Sequence, residues 1–391
     1  MCLLHLLAGA SKYAPEDLPG RISKPADDLI KRVFDDIDSH RLIDYHTHVA
    51  GLGNGNSGIL VNPKLGSWKH PLGYLRFKVY LSAAHVSDVE QADEQMVERL
   101  VQLVANIKDH GKHRLLAFDK HYNRDGTPNL AKTEFYVPNE YVFSLVKRYP
   151  DFFEPVISVH PYRADALEEL ERGAIHGARV VKWLPNAMGI DPSDDLCASF
   201  YQRMKQLDLV LLSHGGEEKA VEAEEDQKLG NPLLLRRPLE AGVKVIVAHC
   251  AGLGDNEDLD DPRRRRVSNF DLFLRLMAET KYEGLLFADI SAMTQFNRCG
   301  APLNTILERE DLHPRLVNGS DYPLPAINIL VRTRSLVKQG YITTDERAAL
   351  NEIYDYNPLL FDFALKRTLK LPGTNKRLPA SIFMANRALG V

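Results

Sequence analysis

Eight short apolar runs constrain this chain more than any single motif. They fall at residues 41–45, 114–118, 152–159, 178–182, 207–213, 243–248, 284–290 and 315–319. Most are largely apolar, as strands buried on both faces of a parallel sheet should be. Each ends in polar or glycine-rich residues, and amphipathic stretches lie between them. Residues 87–110 carry Met96, Val97, Leu100, Val101, Leu103 and Val104 at helical spacing, with Ser87 placed as an N-cap. Residues 138–149, 164–172, 193–206 and 269–281 read the same way. Strands alternating with helices imply right-handed crossovers and the α/β class. Eight strands predict a closed (β/α)8 TIM barrel rather than an open sheet.

Two stretches exceed a minimal barrel. Residues 1–40 read as an N-terminal extension with one helix at 27–37. Residues 51–85 read as a long loop after strand 1, with Trp68, Tyr74 and Tyr80, and loops of that length are often lids. Helices are expected at 344–354 and 359–369, separated by Asn357-Pro358. Nothing resembles a linker, so 41–391 is expected to be one barrel domain with C-terminal helices.

Composition narrows the partners. A formal net charge of -4 gives no pull toward nucleic acid or an anionic membrane. No apolar run approaches the roughly 20 residues of a membrane span. Cys2, Cys197, Cys250 and Cys299 are too scattered for a disulfide framework or a zinc knuckle. The start, Met1-Cys2-Leu3-Leu4-His5, lacks the basic region of a secretory signal. The expectation is a cytoplasmic protein with reduced thiols and a small-molecule substrate, and a closed homo-oligomer is the usual form.

In such a barrel the active site lies at the C-terminal ends of the strands. The first run leads into Asp44-Tyr45-His46-Thr47-His48, and the fourth ends Val181-Lys182-Trp183. The fifth ends Ser213-His214-Gly215-Gly216, the sixth Ala248-His249-Cys250, and the eighth Gly319-Ser320-Asp321. Histidines at i and i+2 on a strand share a face, so His46 and His48 can reach one ion. Imidazole and carboxylate together suit Zn²⁺, Fe²⁺ or Mn²⁺.

The order His-x-His, Lys, His, His, Asp resembles the amidohydrolase superfamily. The phrases LSHGGEE, VIVAHCAG and NGSDYPLP are most similar to its "amidohydrolase 2" branch, and the resemblance spans about residues 42–328. It implies a metal site of His46, His48, Lys182, His214, His249 and Asp321, with Asp321, Lys182 and His249 in catalytic roles. It also implies a divalent metal, zinc by preference, as one or two ions. His46 and His48 would share a metal with Asp321, while His214 and His249 would bind a second metal or orient around the first. Asp321 would serve as general acid and base. Lys182 would either be carboxylated to bridge two metals or remain an amine that pairs with an acid or a substrate carboxylate.

The resemblance implies hydrolysis of an amide, lactone or ester carbonyl. The alternative is non-oxidative decarboxylation of an aromatic or unsaturated acid, with Lys120, Arg163 or Lys182 holding the carboxylate. His160, Asp119, His121 and Asp289 are further rim candidates with an equal structural reading. Glu217 and Glu218 could reach the metal, but they are expected in solvent or behind His214. Trp68, Tyr74 and Trp183 line a pocket or sit in the core. The run Arg263-Arg264-Arg265-Arg266 reads as a solvated loop paired with nearby aspartates.

Overall fold

The computed structural model describes residues 12–67, 70–221 and 223–390. Cys2, Trp68 and the first eleven residues lie outside the described residues. Eight strands form one sheet: β1 (Ile43–His48), β2 (Lys112–Leu116), β3 (Phe153–Ile157), β4 (Val180–Trp183), β5 (Val210–His214), β6 (Val245–Ala248), β7 (Leu286–Asp289) and β8 (Leu316–Val317). The strand order follows the chain order from β1 to β8. The β3–β4, β4–β5, β5–β6 and β6–β7 pairs are all parallel. A parallel bridge between Thr47 and Tyr322 joins the ends of the order, with Tyr45 N–H donating to Asn318 O at 2.9 Å. This is the (β/α)8 barrel that the eight runs predict.

The principal helices are α1 (Lys24–Phe34), α2 (Pro71–Ala83), α3 (Ala92–Ala105), α4 (Asn139–Arg148), α5 (Ala166–Ile175), α6 (Ala198–Gln206), α7 (Asn269–Ala278), α8 (Ala301–Glu308), α9 (Thr344–Tyr356) and α10 (Pro358–Thr368). None of the described helices is long and apolar enough to cross a membrane.

The chain packs as two compact units. The first comprises Met1–Gly55, Lys64–His113 and Ser291–Asn386. In it α1 packs on α9 and α10, with the Phe34 and Phe363 rings 4.6 Å apart. Thr343 caps α9 in a reciprocal box with Glu346. Asn357 caps α10, accepting from Leu359 N–H and Leu360 N–H at 3.1 Å. The second unit comprises Asn56–Pro63, Arg114–Ile290 and Arg387–Val391. Its core includes Trp183, whose Nε1–H donates to Val159 O at 2.8 Å and whose ring packs on Phe200 and Tyr201. Trp183 is therefore core and not a pocket wall.

Two local expectations need correction. The stretch after β1 is not all loop, because α2 occupies thirteen residues of it. Its apolar residues Leu72, Leu75, Phe77, Val79 and Leu81 run around the helix without a clear face, so periodicity gave no signal. Ser87 is not the cap of α3. Gln95 Oε1 accepts from Ser87 N–H at 2.9 Å, and Asp88 caps a short turn at Val89–Gln91 before α3 begins. In the exposed arginine run, Arg265 meets Asp261 at 2.5 Å and Arg266 begins a short strand at Arg266–Ser268.

Candidate metal centre

In the first unit, β1 extends through His48, so both histidines are part of the pleated strand. Their Nε2 atoms lie 3.2 Å apart. Asp321 brings Oδ1 to 3.5 Å from His46 Nε2 and 3.2 Å from His48 Nε2. The three donor atoms lie within 4.8 Å of one another, close enough to hold a metal ion. Two imidazoles and a carboxylate form a set that suits a divalent first-row metal.

A chain of hydrogen bonds builds this cluster. Asp44 Oδ1 accepts from His46 N–H and from Ser320 N–H, each at 2.9 Å. Asp321 N–H donates to His46 O at 2.7 Å. Ser291 Oγ lies 3.4 Å from His46 Nδ1, which leaves Nε2 to face the cluster. Asp321 sits at φ +58°, in the left-handed region that non-glycine residues rarely occupy. Gly319 is required two residues earlier, since a β-carbon there would stand 2.6 Å from His46 Cβ.

Asp44 was not among the residues singled out for chemistry, although it shares the strand face of His46 and His48 at the same period of two. Burial works to raise its pKa, but the hydrogen bonds from His113, Ser320 and the His46 backbone outweigh that and hold it below the usual carboxylate value. It is an ionised buried acid that binds the two chain segments carrying the cluster.

In the second unit, His214 ends β5 and His249 follows β6. Both are buried, and their rings meet edge to face with centroids 5.2 Å apart. Glu218 is buried too, with Oε2 3.5 Å from His214 Nδ1, and it accepts from Val221 N–H at 3.1 Å. Glu217 instead pairs with Lys219 at 3.2 Å on the surface. Gly216 lies at φ +91°, where a β-carbon would meet Leu253 O at 2.7 Å, so the turn after His214 needs glycine.

His249, Cys250 and Ala251 have φ of 55°, 50° and 50°. Three consecutive non-glycine residues in this region store strain of the kind that collects at functional sites. Asp289, the last residue of β7, holds the turn by accepting from His249 N–H at 2.9 Å. Its own carbonyl accepts from Cys250 Sγ–H at 3.2 Å.

Lys182 lies in β4 at 2% exposure, paired in register with Leu212. Its carbonyl accepts from Ser158 Oγ–H at 2.8 Å, and Ser158 Oγ accepts from Asp119 N–H at 3.0 Å. Asp119 Oδ2 accepts from His160 N–H at 2.8 Å and from Arg163 at 3.1 Å. Arg163 is also clamped to Asp165 at 2.7 Å. Both ring nitrogens of His160 have backbone partners, Met188 O at 2.9 Å and Tyr162 N–H at 3.2 Å. His160 and Asp119 thus serve the framework. Lys120 extends over the Tyr136 ring, 4.3 Å from its centroid.

A family model described as Amidohydrolase matches residues 126–326, just over half of the chain's 391 residues. The chain belongs to this amidohydrolase family, and as a member of it is an enzyme. The match includes Lys182, His214, His249 and Asp321 but begins after His46 and His48. Metal dependence fits both the family and the clustered histidines and aspartate. No curated protein is significantly similar in sequence.

Solved structures are similar at low identity. An uncharacterised TIM-barrel protein of Bordetella bronchiseptica is 16% identical, with 83% of this chain and 99% of that one covered at a TM-score of 0.48. A provisionally assigned 2-pyrone-4,6-dicarboxylic acid hydrolase of Pseudomonas putida is 16% identical, with 85% and 95% covered at 0.42. A 5-carboxyvanillate decarboxylase of Sphingomonas paucimobilis is 11% identical, with 83% and 96% covered at 0.45.

Proposed function

We propose that this enzyme is a metal-dependent hydrolase that adds water to the carbonyl of an amide, lactone or ester. The observation that supports it best is the convergence of His46, His48 and Asp321 donor atoms in a chain of this family. Those three residues would hold a divalent ion, zinc in our reading. Such an ion acts as a Lewis acid that polarises a carbonyl and lowers the pKa of bound water.

The chain's own groups supply the rest. Ser291 and the Asp44 bridge hold His46 with Nε2 presented. Asp321 takes a proton from the attacking water and returns it to the leaving group, the task of a carboxylate within hydrogen-bond reach. His214 and His249 are proposed to serve the same reaction as further ligands or as groups that orient the substrate. Lys182 separates two forms of this reading. As a carbamate it accompanies two metals, and as a free amine it accompanies one.

Metal content and intact native mass test the proposal together. About two metals per chain with about 44 Da of added mass, that of bound CO₂, supports the binuclear form. One metal without added mass supports the mononuclear form. H46A/H48A is expected to lose the metal while staying folded, and full retention of metal in that variant refutes the ligand assignment.

A second reading, decarboxylation of an aromatic or unsaturated acid, keeps one specific support. With Arg163 clamped by Asp119 and Asp165, the role of holding a substrate carboxylate would fall to Lys120 or an unmodified Lys182. Release of CO₂ from such acids, with KM raised in K120M, supports that reading over hydrolysis.

A further inference from the structure

Asp362 and Lys366 form an ion pair inside the first unit, one turn apart on α10. Lys366 is 1% exposed and Asp362 4%. Lys366 Nζ donates to Asp362 Oδ2 at 2.5 Å and to Gly319 O at 2.7 Å. Burial pushes the Asp362 carboxyl up to about 6 against the pull of Lys366. A buried pair of this kind is weak evidence for stability, because desolvation offsets much of its attraction and apolar residues of similar size often serve as well. What apolar residues cannot supply is a charged donor to a backbone carbonyl.

That carbonyl belongs to the turn that carries Asp321. Each of three successive residues is anchored by a different segment. Gly319 O is held by Lys366, Ser320 N–H by Asp44 at 2.9 Å, and Asp321 N–H by His46 O at 2.7 Å. Asp321 itself has φ +58°, a conformation that persists only where its surroundings impose it. The first anchor comes from a helix outside the 126–326 family match.

We propose that the Asp362–Lys366 pair is a positioning device that fixes the Gly319–Asp321 turn and so sets the Asp321 carboxylate against the two imidazoles. Lys366 touches no donor atom of the cluster and acts through the backbone. The proposal rests on the reading of Asp321 as a metal ligand.

The test is zinc affinity, measured by competition with a chelator on the full chain. It compares wild type, D362L/K366M, D321N and the combination of all three substitutions. D362L/K366M removes both buried charges at once and is expected to stay folded. It should weaken zinc binding about 10-fold or more, the usual effect of losing a group that orients a ligand. In the D321N background the same pair of substitutions should change nothing. K366R, which keeps a charged donor, should bind zinc within about threefold of wild type.

Wild-type zinc affinity in a folded D362L/K366M protein overturns the proposal and leaves the ligand reading standing. An equal loss in the D321N background also overturns it, since the effect then does not pass through Asp321. If D321N alone binds zinc as tightly as wild type, the ligand reading fails and this proposal falls with it. Should leucine not be accommodated, D362N/K366M carries the same four-way comparison.

Discussion

Replacing Asp44 tests the account of how the cluster is assembled. In Asp44→Ala, the His46 and Ser320 N–H groups each lose an acceptor at 2.9 Å in a buried setting. Each unsatisfied donor costs about 1–3 kcal/mol. His113, 3.5 Å from the other carboxylate oxygen, also loses one of its partners and keeps Thr47 Oγ1 at 3.4 Å. The total comes to about 4 kcal/mol. Asp44→Asn keeps an oxygen for both N–H groups and loses only the charge, for about 1–2 kcal/mol. Unfolding of 391 residues at about 2.1 cal/mol/K each carries about 0.8 kcal/mol/K of entropy. The alanine variant should therefore melt about 5 °C below wild type and the asparagine variant about 2 °C below. Calorimetry on chelator-treated protein is the assay, so that metal binding does not enter the comparison. If the two variants melt within about 1 °C of each other, the two N–H anchors do not carry the energy assigned to them.

Three further predictions follow from the packing. Gly319→Ala forces a β-carbon to 2.6 Å from His46 Cβ and should cost about 1–3 kcal/mol with a clear loss of metal content; wild-type metal content and melting would refute it. Glu218→Ala should destabilise by about 2 kcal/mol, since it strips acceptors from the Ala220 and Val221 N–H groups, whereas Glu217→Ala should stay within about 0.5; equal urea midpoints would contradict this. Burial pushes His160 down to about 3 from 6.5, so between those values the unfolded chain binds a proton that the folded one does not. Its contribution is complete above about pH 6.5 and falls by about 1.4 kcal/mol per pH unit below it. Urea unfolding of wild type and H160Q at several pH values should show that gap closing on acidification, and a constant gap would refute the burial argument.

Much of the barrel was legible because its signal is local. Strands buried on both faces are mostly apolar, and each of the eight runs overlaps an observed strand. The placement of His46 and His48 on one strand face is equally local, since it follows from a period of two. The helix at Pro71–Ala83 escaped because its apolar residues do not favour one face, and periodicity is informative only for a helix with one wet side.

What the tertiary structure alone decided is how distant segments hold one another. The left-handed turns at His249 and Asp321 depend on Asp289, His46 and Gly319, residues whose sequence neighbours say nothing of the partnership. Asp44 reads as one more acid on a strand until Ser320 N–H is seen to donate to it from 276 residues away. Lys366 reads as a helix-surface lysine until its ammonium is found buried against Gly319 O. Local sequence sets secondary structure through side-chain pattern and backbone preference. Which buried polar groups satisfy one another is settled only when the barrel brings them within 3 Å, the range of a hydrogen bond.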